Sequence, residues 1–436
     1  MSDAAKPATW TAAPPAAMPG ALRRYGAWLV AAAIFVVLPH IFSSGTALTV
    51  MSLMGIAIIF ALSYNMLLGQ TGMLSFGHAV YYGLGAFCAV HVMNLAIRHI
   101  VPVPLVLIPL VGGACGMLFG VVFGSVSTKR GGIAFAMISL GLAELVASSA
   151  LILRGFFGGE EGITTNRTKL LRLFDWSFGP QIQVYYLIAA WCLVCMIAMY
   201  ALTRTPFGRM CNAVRDNPER AQFVGYNPQT VRFIAFCLSG FFAGIAGGLA
   251  AINFEIVNSS YVGLGPSGTV LIAAYLGGVG YFVGPVIGAV LVTYLQLMLS
   301  DATEIWQLYF GLLFIAVVAF APGGIASLVM MHAPLWRARV VHRLVPAYLL
   351  ALAPALVMLA GISLVIEMTF RLTVKASEPS AMTFFHVPLD AASVMSWLAA
   401  LLLIAGGFWL FRRSWPMVDR AWTEARAAAK RQGGAS

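Results

Sequence analysis

The chain contains very little charge. Only 9% of its 436 residues are Asp, Glu, Lys or Arg, whereas 60% are hydrophobic and the mean hydropathy is +0.88. Soluble globular domains carry about 25% charged residues, so this composition excludes a soluble protein and indicates a polytopic integral membrane protein. The net charge of +11 does not indicate a nucleic-acid partner, because the Lys and Arg residues lie in loops between apolar segments and form no folded basic face.

The motifs of common enzymes and metal sites are also missing. None of the five lysines follows a glycine, which excludes the G-K-[ST] step of a standard P-loop ATPase. No histidine pair at helical ligand spacing has an acid nearby, and no G-x-S-x-G elbow is present. Cys192 and Cys195 have no second cysteine pair to complete a metal site. We therefore expect this chain to be no enzyme and to bind no metal and no cofactor.

The sequence is rich in long apolar segments. A membrane-spanning helix needs about 20 apolar residues, or fewer when protein surrounds it, and twelve segments meet this requirement. They cover residues 25–42, 47–68, 73–94, 103–127, 133–153, 184–202, 233–252, 268–280, 285–300, 305–322, 345–367 and 396–411. These segments predict an all-α, polytopic helical bundle. The Ala- and Pro-rich residues 1–22 lack periodicity and predict a disordered tail.

Loop charges predict the orientation of these spans. With both termini in the cytoplasm, most of the 26 Lys and Arg residues fall on the cytoplasmic side, as the positive-inside rule requires. The first block of five spans then begins on the cytoplasmic side, and the second block, spans six to ten, begins on the outer side. We therefore predict about ten core helices arranged as a five-plus-five inverted repeat, the common plan of transporters.

Two segments carry glycine at every fourth position. The positions are 112, 116, 120 and 124 in one segment, and 240, 244 and 248 in the other. This spacing places the glycines on one helix face, where the missing side chains let two backbones approach closely. We interpret both faces as packing surfaces.

Glycine and proline interrupt two of the apolar regions. Gly69 and Gly72 form the first predicted helix break, and Gly280, Gly284 and Pro285 form the second. Non-helical backbone at membrane depth is stable only against protein or water. The two breaks therefore predict positions that flank a transport route.

A few polar side chains lie within or beside the spans and are candidates for that route. They are Asn65, Gln70, Ser75, His78 and Glu144. The first four surround the first break, where they have the alternative role of bonding helices together. Glu144 is a lone carboxylate in a span, and its alternative role is to pair with a donor on a neighbouring helix.

A polar segment from Thr203 to Arg232 separates two apolar spans. Thr205 and Asn217 are each followed by proline, so each predicts the N-cap of a short helix. Gly225 predicts the end of the second helix. Five arginines place the segment on the cytoplasmic side. Two capped helices are more structure than a connection needs, so we interpret the segment as a docking surface.

This segment resembles the cytoplasmic coupling loop of ABC-importer permeases. Glu219, Ala221 and Gly225 keep its E-x-A-x-x-x-G spacing, with Arg220 where the family usually has alanine. Residues 65–87, NMLLGQTGMLSFGHAVYYGLGAF, resemble the LivM branch of branched-chain amino acid permeases. The resemblance continues through AFCLSGFFAGIAGG at 235–248 and LGGVGYFVGPVIG at 276–288, so it covers roughly residues 25–330.

The resemblance implies a permease subunit of an ATP-binding-cassette importer for branched-chain or related amino acids in a bacterial inner membrane. It implies a homologous second permease, two cytoplasmic P-loop ATPase subunits that bind the ATP, and an extracytoplasmic solute-binding protein. It implies that the coupling loop acts through Arg209, Arg215, Asp216, Asn217, Glu219, Ala221 and Gly225. In that scheme Glu219 and Gly225 shape the docking helix, and Arg209, Arg215 and Asp216 form ionic contacts with the ATPase.

Other functions stay open from the sequence. A urea or short-amide permease would look alike within the same class. An ion-coupled secondary transporter would need acidic or histidine relays within the spans, and the spans contain few such residues. A gated channel for a small neutral solute would need no docking loop.

The C-terminal part departs from the family pattern. We assign residues 23–332 to the permease domain and residues 333–436 to an accessory extension of two helices. A basic cytoplasmic tail at residues 412–431 completes the extension, and such a tail suits anionic lipid headgroups.

Overall fold

The computed structural model describes residues 21–171, 176–375, 377, 379–384 and 387–433. The helices are α1 (Ala21–Ile41), α2 (Gly45–Thr71), α3 (Ala79–Ile97), α4 (Ile108–Ser127), α5 (Ile133–Ile152), α6 (Arg154–Phe157), α7 (Gln181–Arg204), α8 (Pro206–Asp216), α9 (Pro218–Phe223), α10 (Pro228–Phe254), α11 (Leu264–Gly277), α12 (Gly284–Ala302), α13 (Trp306–Phe320), α14 (Gly324–Met331), α15 (Ala333–Arg337), α16 (Val345–Thr373) and α17 (Val394–Gly433). The predicted N-terminal tail, residues 1–22, lies outside the described residues, except that residues 21 and 22 begin α1.

Two short antiparallel ribbons accompany the helices. In the first, β1 (Ile163–Thr164) pairs with β2 (Ile256–Val257). In the second, β3 (Ala381–Phe384) pairs with β4 (Val387–Asp390), with Met382 opposite Leu389. These ribbons are too small to alter the all-α class.

The apolar helices confirm a polytopic membrane protein. Among the described residues, nine helices are long and apolar enough to cross a membrane, and α13 with the following bent segment makes a tenth. Helix α11 and the apolar part of α1, from Gly26, are shorter. All twelve predicted segments correspond to helices. The ends of eleven differ from the prediction by six residues or fewer, whereas α17 continues to Gly433, 22 residues beyond the predicted end at 411. The five-plus-five repeat stays a prediction.

The chain forms two compact units, residues 1–327 and 328–436. The division falls within α14, a few residues before the predicted boundary at 332 and 333. The larger unit holds one continuous apolar core that includes α2, α3 and α10. Helix α10 is the most enclosed span, since 78% of its apolar window is buried.

The two glycine faces meet in the larger unit. An added Cβ at Gly240 of α10 would lie 2.8 Å from the carbonyl oxygen of Gly116 in α4. A Cβ at Gly85 of α3 would lie 2.6 Å from Gly244 Cα, and one at Gly244 would meet the carbonyl oxygen of Gly112. Three backbones therefore approach at Gly244, where even one methyl group does not fit.

The smaller unit is a pair of long helices. Gly361 of α16 packs against Ile404 of α17, and Gly407 packs against Met358, so the two helices run antiparallel. Helix α17 continues through the predicted tail to Gly433. Val418 and Ala425 of this part are buried, and Ala425 packs with Leu335, Val340 and Leu344. The predicted basic tail is therefore helical to residue 433, and one face of it is packed as far as Ala425.

Gly244→Ala tests the close approach of α3, α4 and α10. Overpacking costs about 1–3 kcal/mol, so we expect a lower melting temperature in detergent. The matched control is Gly141→Ala on α5, where an added Cβ meets nothing within 4 Å and the helix gains about 0.5–1 kcal/mol. Equal melting temperatures for the two variants would contradict this packing.

Candidate coupling surface and membrane site

The polar segment after α7 folds as two capped helices, as predicted. Thr205 accepts a hydrogen bond from the amide of Gly208 at 3.3 Å and begins α8. Asn217 accepts one from the amide of Arg220 at 2.9 Å and begins α9. Each cap satisfies a helix amide that would otherwise lack a partner. Both helices are therefore fixed at their first turns.

Gly225 ends α9 in a left-handed conformation. Its φ is +92°, and an added Cβ would meet nothing within 4 Å. The amide of Gly225 donates to Gln222 O, and that of Tyr226 donates to Ala221 O. Glycine is needed here for its backbone conformation and not for space. This confirms the predicted helix stop.

The inner side of α8 packs against α9 and the start of α10. Cys211 and Val214 of α8 form a buried cluster with Ala221 of α9 and with Val231 and Ala235 of α10. Burial raises the pKa of the Cys211 thiol to about 12, so this thiol is neutral and acts as an apolar side chain. The two short helices are therefore joined firmly to α10.

An open groove of about 440 Å³ lies between α8 and α9. Its lining combines apolar side chains such as Met210 and Val224 with the charged residues Arg209, Asp216 and Arg220. Val224 is 74% exposed, and its neighbour Phe223 is 90% exposed. Apolar side chains this exposed, at a groove that charged residues also line, are typical of a protein interface.

Arg215 turns away from this groove towards α2. Its Nη1 donates a hydrogen bond to the carbonyl oxygen of Gly69. Its Nε and Nη2 each lie 3.0 Å from Asp216 Oδ1. Arg209 and Asp216 line the groove, whereas Arg215 is bonded to Gly69 and Asp216 within the chain. Their contacts with an ATPase stay a prediction. Glu219 is exposed in the first turn of α9.

The first helix break differs from its prediction. Helix α2 continues through Gly69 and ends at Thr71, and the break begins at Gly72, whose φ is +70°. The amide of Met73 donates to Leu67 O, so Gly69 O has no donor from its own helix. A cation beside such a carbonyl stabilises the helix end by about 0.3–1 kcal/mol. Gly69 is therefore a contact point and not a break.

The segment from Gly72 to His78 enters the membrane core. His78 Nε2 lies 2.9 Å from Ser63 Oγ, and Ser63 O accepts from Ser239 Oγ. Ser239 is about 16 Å along α10 from its first residue at 1.5 Å per residue. This is near the middle of a core about 30 Å thick. Serines of α5 and α11 accept hydrogen bonds from the amides of Phe76 and Ala79, so protein groups bond the segment near its inner end, while Gly72 and Phe76 are exposed.

The second break lies where the sequence placed it. Helix α11 ends at Gly277, and Gly278 has φ +110°. Gly280 lies in the turn that follows, and Gly284 and Pro285 begin α12. Gly278, which the sequence did not single out, supplies the positive φ.

The predicted polar residues of the first break are largely enclosed. Asn65, Ser75 and His78 are 5%, 0% and 0% exposed. Asn65 Oδ1, Ser75 Oγ and His78 Nδ1 have no hydrogen-bond partner among the described residues. Gln70 is half-buried. These side chains surround one segment, and ordered water is the expected partner for such buried polar atoms.

Glu144 lies elsewhere, on the outer side of α5. It is exposed, and within the described part of the chain it forms no hydrogen bond or ion pair. Its neighbours Met137, Leu145 and Ile152 are exposed as well. The structure therefore does not pair Glu144 with a donor on a neighbouring helix of this chain.

A large cavity of about 1030 Å³ lies between α2, α11, α12 and α13 in the larger unit. None of the predicted route residues lines it. Phe60 separates it from His78, because its ring stacks on His78 at 5.4 Å and on Tyr82 at 4.7 Å. The lining residues that carry a polar group are Tyr82, Ser260, Tyr261, Thr269, Thr293, Gln296, Ser300, Trp306 and Gln307, and the purely apolar aromatic ones are Phe60, Phe254 and Phe310. Among its described lining residues none is charged.

Sequence reasoning missed this lining. Thr293, Gln296 and Ser300 recur at helical spacing within one apolar span, and this was the available signal. Tyr82 lies within the resembling segment at 65–87. No pattern in the sequence brings these residues to Tyr261, which stacks on Tyr82 at 5.7 Å.

The family model described as "Branched-chain amino acid transport system / permease component" matches residues 46–322. The high-affinity branched-chain amino acid transport system permease protein LivM of Escherichia coli is 26% identical over 66% of this chain and 71% of its own. LivH of Salmonella typhimurium is 24% identical over 61% of this chain and 90% of its own.

A ribose import permease protein, RbsC of Haemophilus influenzae, is 26% identical over 67% of this chain and 90% of its own. No solved structure matches the chain. The family model covers more than half of the 436 residues, including α8, α9, both helix breaks and the cavity. The chain therefore belongs to the permease component family of branched-chain amino acid transport systems.

Proposed function

We propose that this chain is the permease subunit of an ATP-driven importer of branched-chain or related amino acids. The observation that carries the proposal is the groove between α8 and α9, with Phe223 and Val224 exposed beside it. Both helices are capped and packed against α10, so a movement of α8 and α9 is transmitted to the membrane core. Membership of the permease family supports the same function.

The partner at this groove is a cytoplasmic ATPase subunit. Phe223 and Val224 supply apolar contacts, and Arg209 and Arg220 favour an acidic surface opposite them. The chain has no P-loop of its own, so ATP binds on two such partner subunits. ATP binding closes the ATPases, shifts α8 and α9, and exposes the route to alternate sides.

The chemistry of the large cavity supports an amino acid with an apolar side chain. Most of its lining is apolar, and hydroxyl and amide groups of Thr269, Thr293 and Gln296 supply a few hydrogen bonds. Such a surface suits a branched aliphatic side chain better than a sugar, which needs a polar partner for each hydroxyl. The printed names of LivM and LivH agree with this substrate class.

The proposed assembly includes a second, homologous permease and an extracytoplasmic solute-binding protein. Glu144 supports the second permease, because an ionised carboxylate facing lipid costs several kcal/mol. We infer that the outer face of α5 lies against that subunit or against water of the route. The assembly sits in a bacterial inner membrane with both termini in the cytoplasm, and it uses no nucleic acid.

We also propose that the extension is accessory to transport. The family match ends at residue 322, and residues 328–436 form a compact unit of their own. Arg412, Arg413 and Arg420 carry positive charge beyond the apolar part of α17. Such residues bind anionic headgroups with about 1 kcal/mol each, so the extension anchors the permease in the inner leaflet.

Docking is tested with the double variant Gly225→Val and Glu219→Lys. Valine is strained at φ +92°, and lysine reverses the charge in the first turn of α9. We expect normal membrane insertion, weaker co-purification of the ATPase, and lower uptake. Gly225→Asn is the matched control, since asparagine tolerates positive φ. Normal ATPase binding and normal uptake in the double variant would show that α9 does not dock.

The extension is tested by truncation after Met331, at the end of α14. We expect uptake per inserted molecule to equal that of the full chain, because the core and the coupling helices remain. The amount of inserted protein is measured in the same membranes. A shortened permease that inserts and binds the ATPases but moves no solute would show that the extension takes part in transport.

A further inference from the structure

We propose that Arg215 is the residue that passes movement of α8 to the membrane core. It does so by bonding the cytoplasmic end of α2 at the point where α2 touches the turn between α11 and α12. This proposal rests on the docking of α8 and α9 proposed above. It assigns Arg215 a positioning role within the chain, in place of the ATPase contact expected from the sequence.

The first step is the rigid attachment of α8. Cys211 and Val214 are fully buried against α9 and α10, and Arg215 and Asp216 follow directly as the last residues of α8. A shift of the helix pair therefore carries the Arg215 backbone with it. The side chain is held too, since Asp216 Oδ1 accepts a hydrogen bond from Nε and forms an ion pair with Nη2 at 3.0 Å.

The second step is the bond to α2. With Nε and Nη2 bound to Asp216, Nη1 is directed at Gly69 O, which has no donor from its own helix. The aliphatic part of Arg215 lies beside Gly72, where an added Cβ would be 3.0 Å from Arg215 Cγ. Gly72 is the left-handed residue that ends α2. Arg215 thus contacts both the Gly69 carbonyl near the end of α2 and Gly72, where the chain leaves the helix.

The third step leads to the other half of the core. An added Cβ at Gly69 would lie 2.8 Å from Val279 O, so α2 touches the turn between α11 and α12 directly. Beyond Gly72 the chain enters the segment that reaches His78. Arg215 therefore contacts the first break at Gly72, and Gly69, whose carbonyl it binds, contacts the turn of the second break at Val279. Along this path a movement of α8 displaces both breaks.

Replacing Arg215 separates this role from docking. In proteoliposomes holding the full complex, Arg215→Gln should keep ATPase co-purification and ATP hydrolysis but move fewer solute molecules per ATP. We expect a fall of about fivefold or more, the lower range of coupling between distant sites. Arg215→Lys should recover part of the solute moved per ATP. Its ammonium group keeps the positive charge but cannot bond Asp216 and Gly69 O together in the geometry of a guanidinium group.

Two controls complete the design. Arg209→Gln and Arg220→Gln remove charges at the groove and should weaken ATPase co-purification without changing solute moved per ATP in the complexes that remain. Gly69→Ala leaves Arg215 in place but adds a methyl group that would meet both the Asn65 side chain of the same helix and Val279 O. Because the Asn65 side chain can rotate and the Val279 backbone cannot, the variant should lower the number of solute molecules moved per ATP, as Arg215→Gln does.

Several outcomes would overturn the proposal. An unchanged ratio in Arg215→Gln would show that the bond transmits nothing, and loss of the ATPase in that variant would make Arg215 a docking residue. A normal number of solute molecules moved per ATP in Gly69→Ala would show that the turn between α11 and α12 does not transmit the movement. Failure of the unaltered complex to use ATP would instead refute the proposed function. Should Arg215→Gln not assemble, Arg215→Lys and Gly69→Ala decide the matter by the same ratio.

Discussion

The larger unit depends on how closely three helix backbones approach one another. Gly85, Gly112 and Gly244 place α3, α4 and α10 so near that a Cβ would reach a neighbouring backbone atom. Lipid and apolar side chains do not differ enough to drive such helices together, so van der Waals contact at small residues holds them. This contact fixes α10 across the membrane, from the coupling helices at one end to the buried residue Asn253 near its other end.

The other parts of the larger unit are positioned by their contacts with α10. Helices α8 and α9 pack on its first turns, and the segment from Gly72 to His78 reaches its middle through Ser63 and Ser239. Non-helical backbone is stable at that depth because serines of α5 and α11 bond its amides. The large cavity then lies beside this segment, behind the stacked rings of Phe60 and Tyr82.

Local chemistry made part of this predictable from the sequence. Thr205, Asn217 and Gly225 act through hydrogen bonds to neighbouring residues or through their own φ, so their roles follow from the chain alone. The position of Gly69 did not follow, because a glycine in an apolar run fits a break and a close contact equally well. The lining of the cavity could not be predicted from the sequence either, since Tyr82, Tyr261 and Gln296 meet only through tertiary packing. The inverted repeat and the inner and outer faces remain expectations from charge and resemblance.

The central claim is that this permease moves amino acids with energy from ATP, received through α8 and α9. The most direct measurement is uptake of labelled leucine into proteoliposomes that hold the full complex and its solute-binding protein. One set receives ATP on the ATPase side, and the other receives an imposed proton or sodium gradient without ATP. The account predicts uptake with ATP alone and none with the gradient alone. Gradient-driven uptake in the absence of ATP would contradict it.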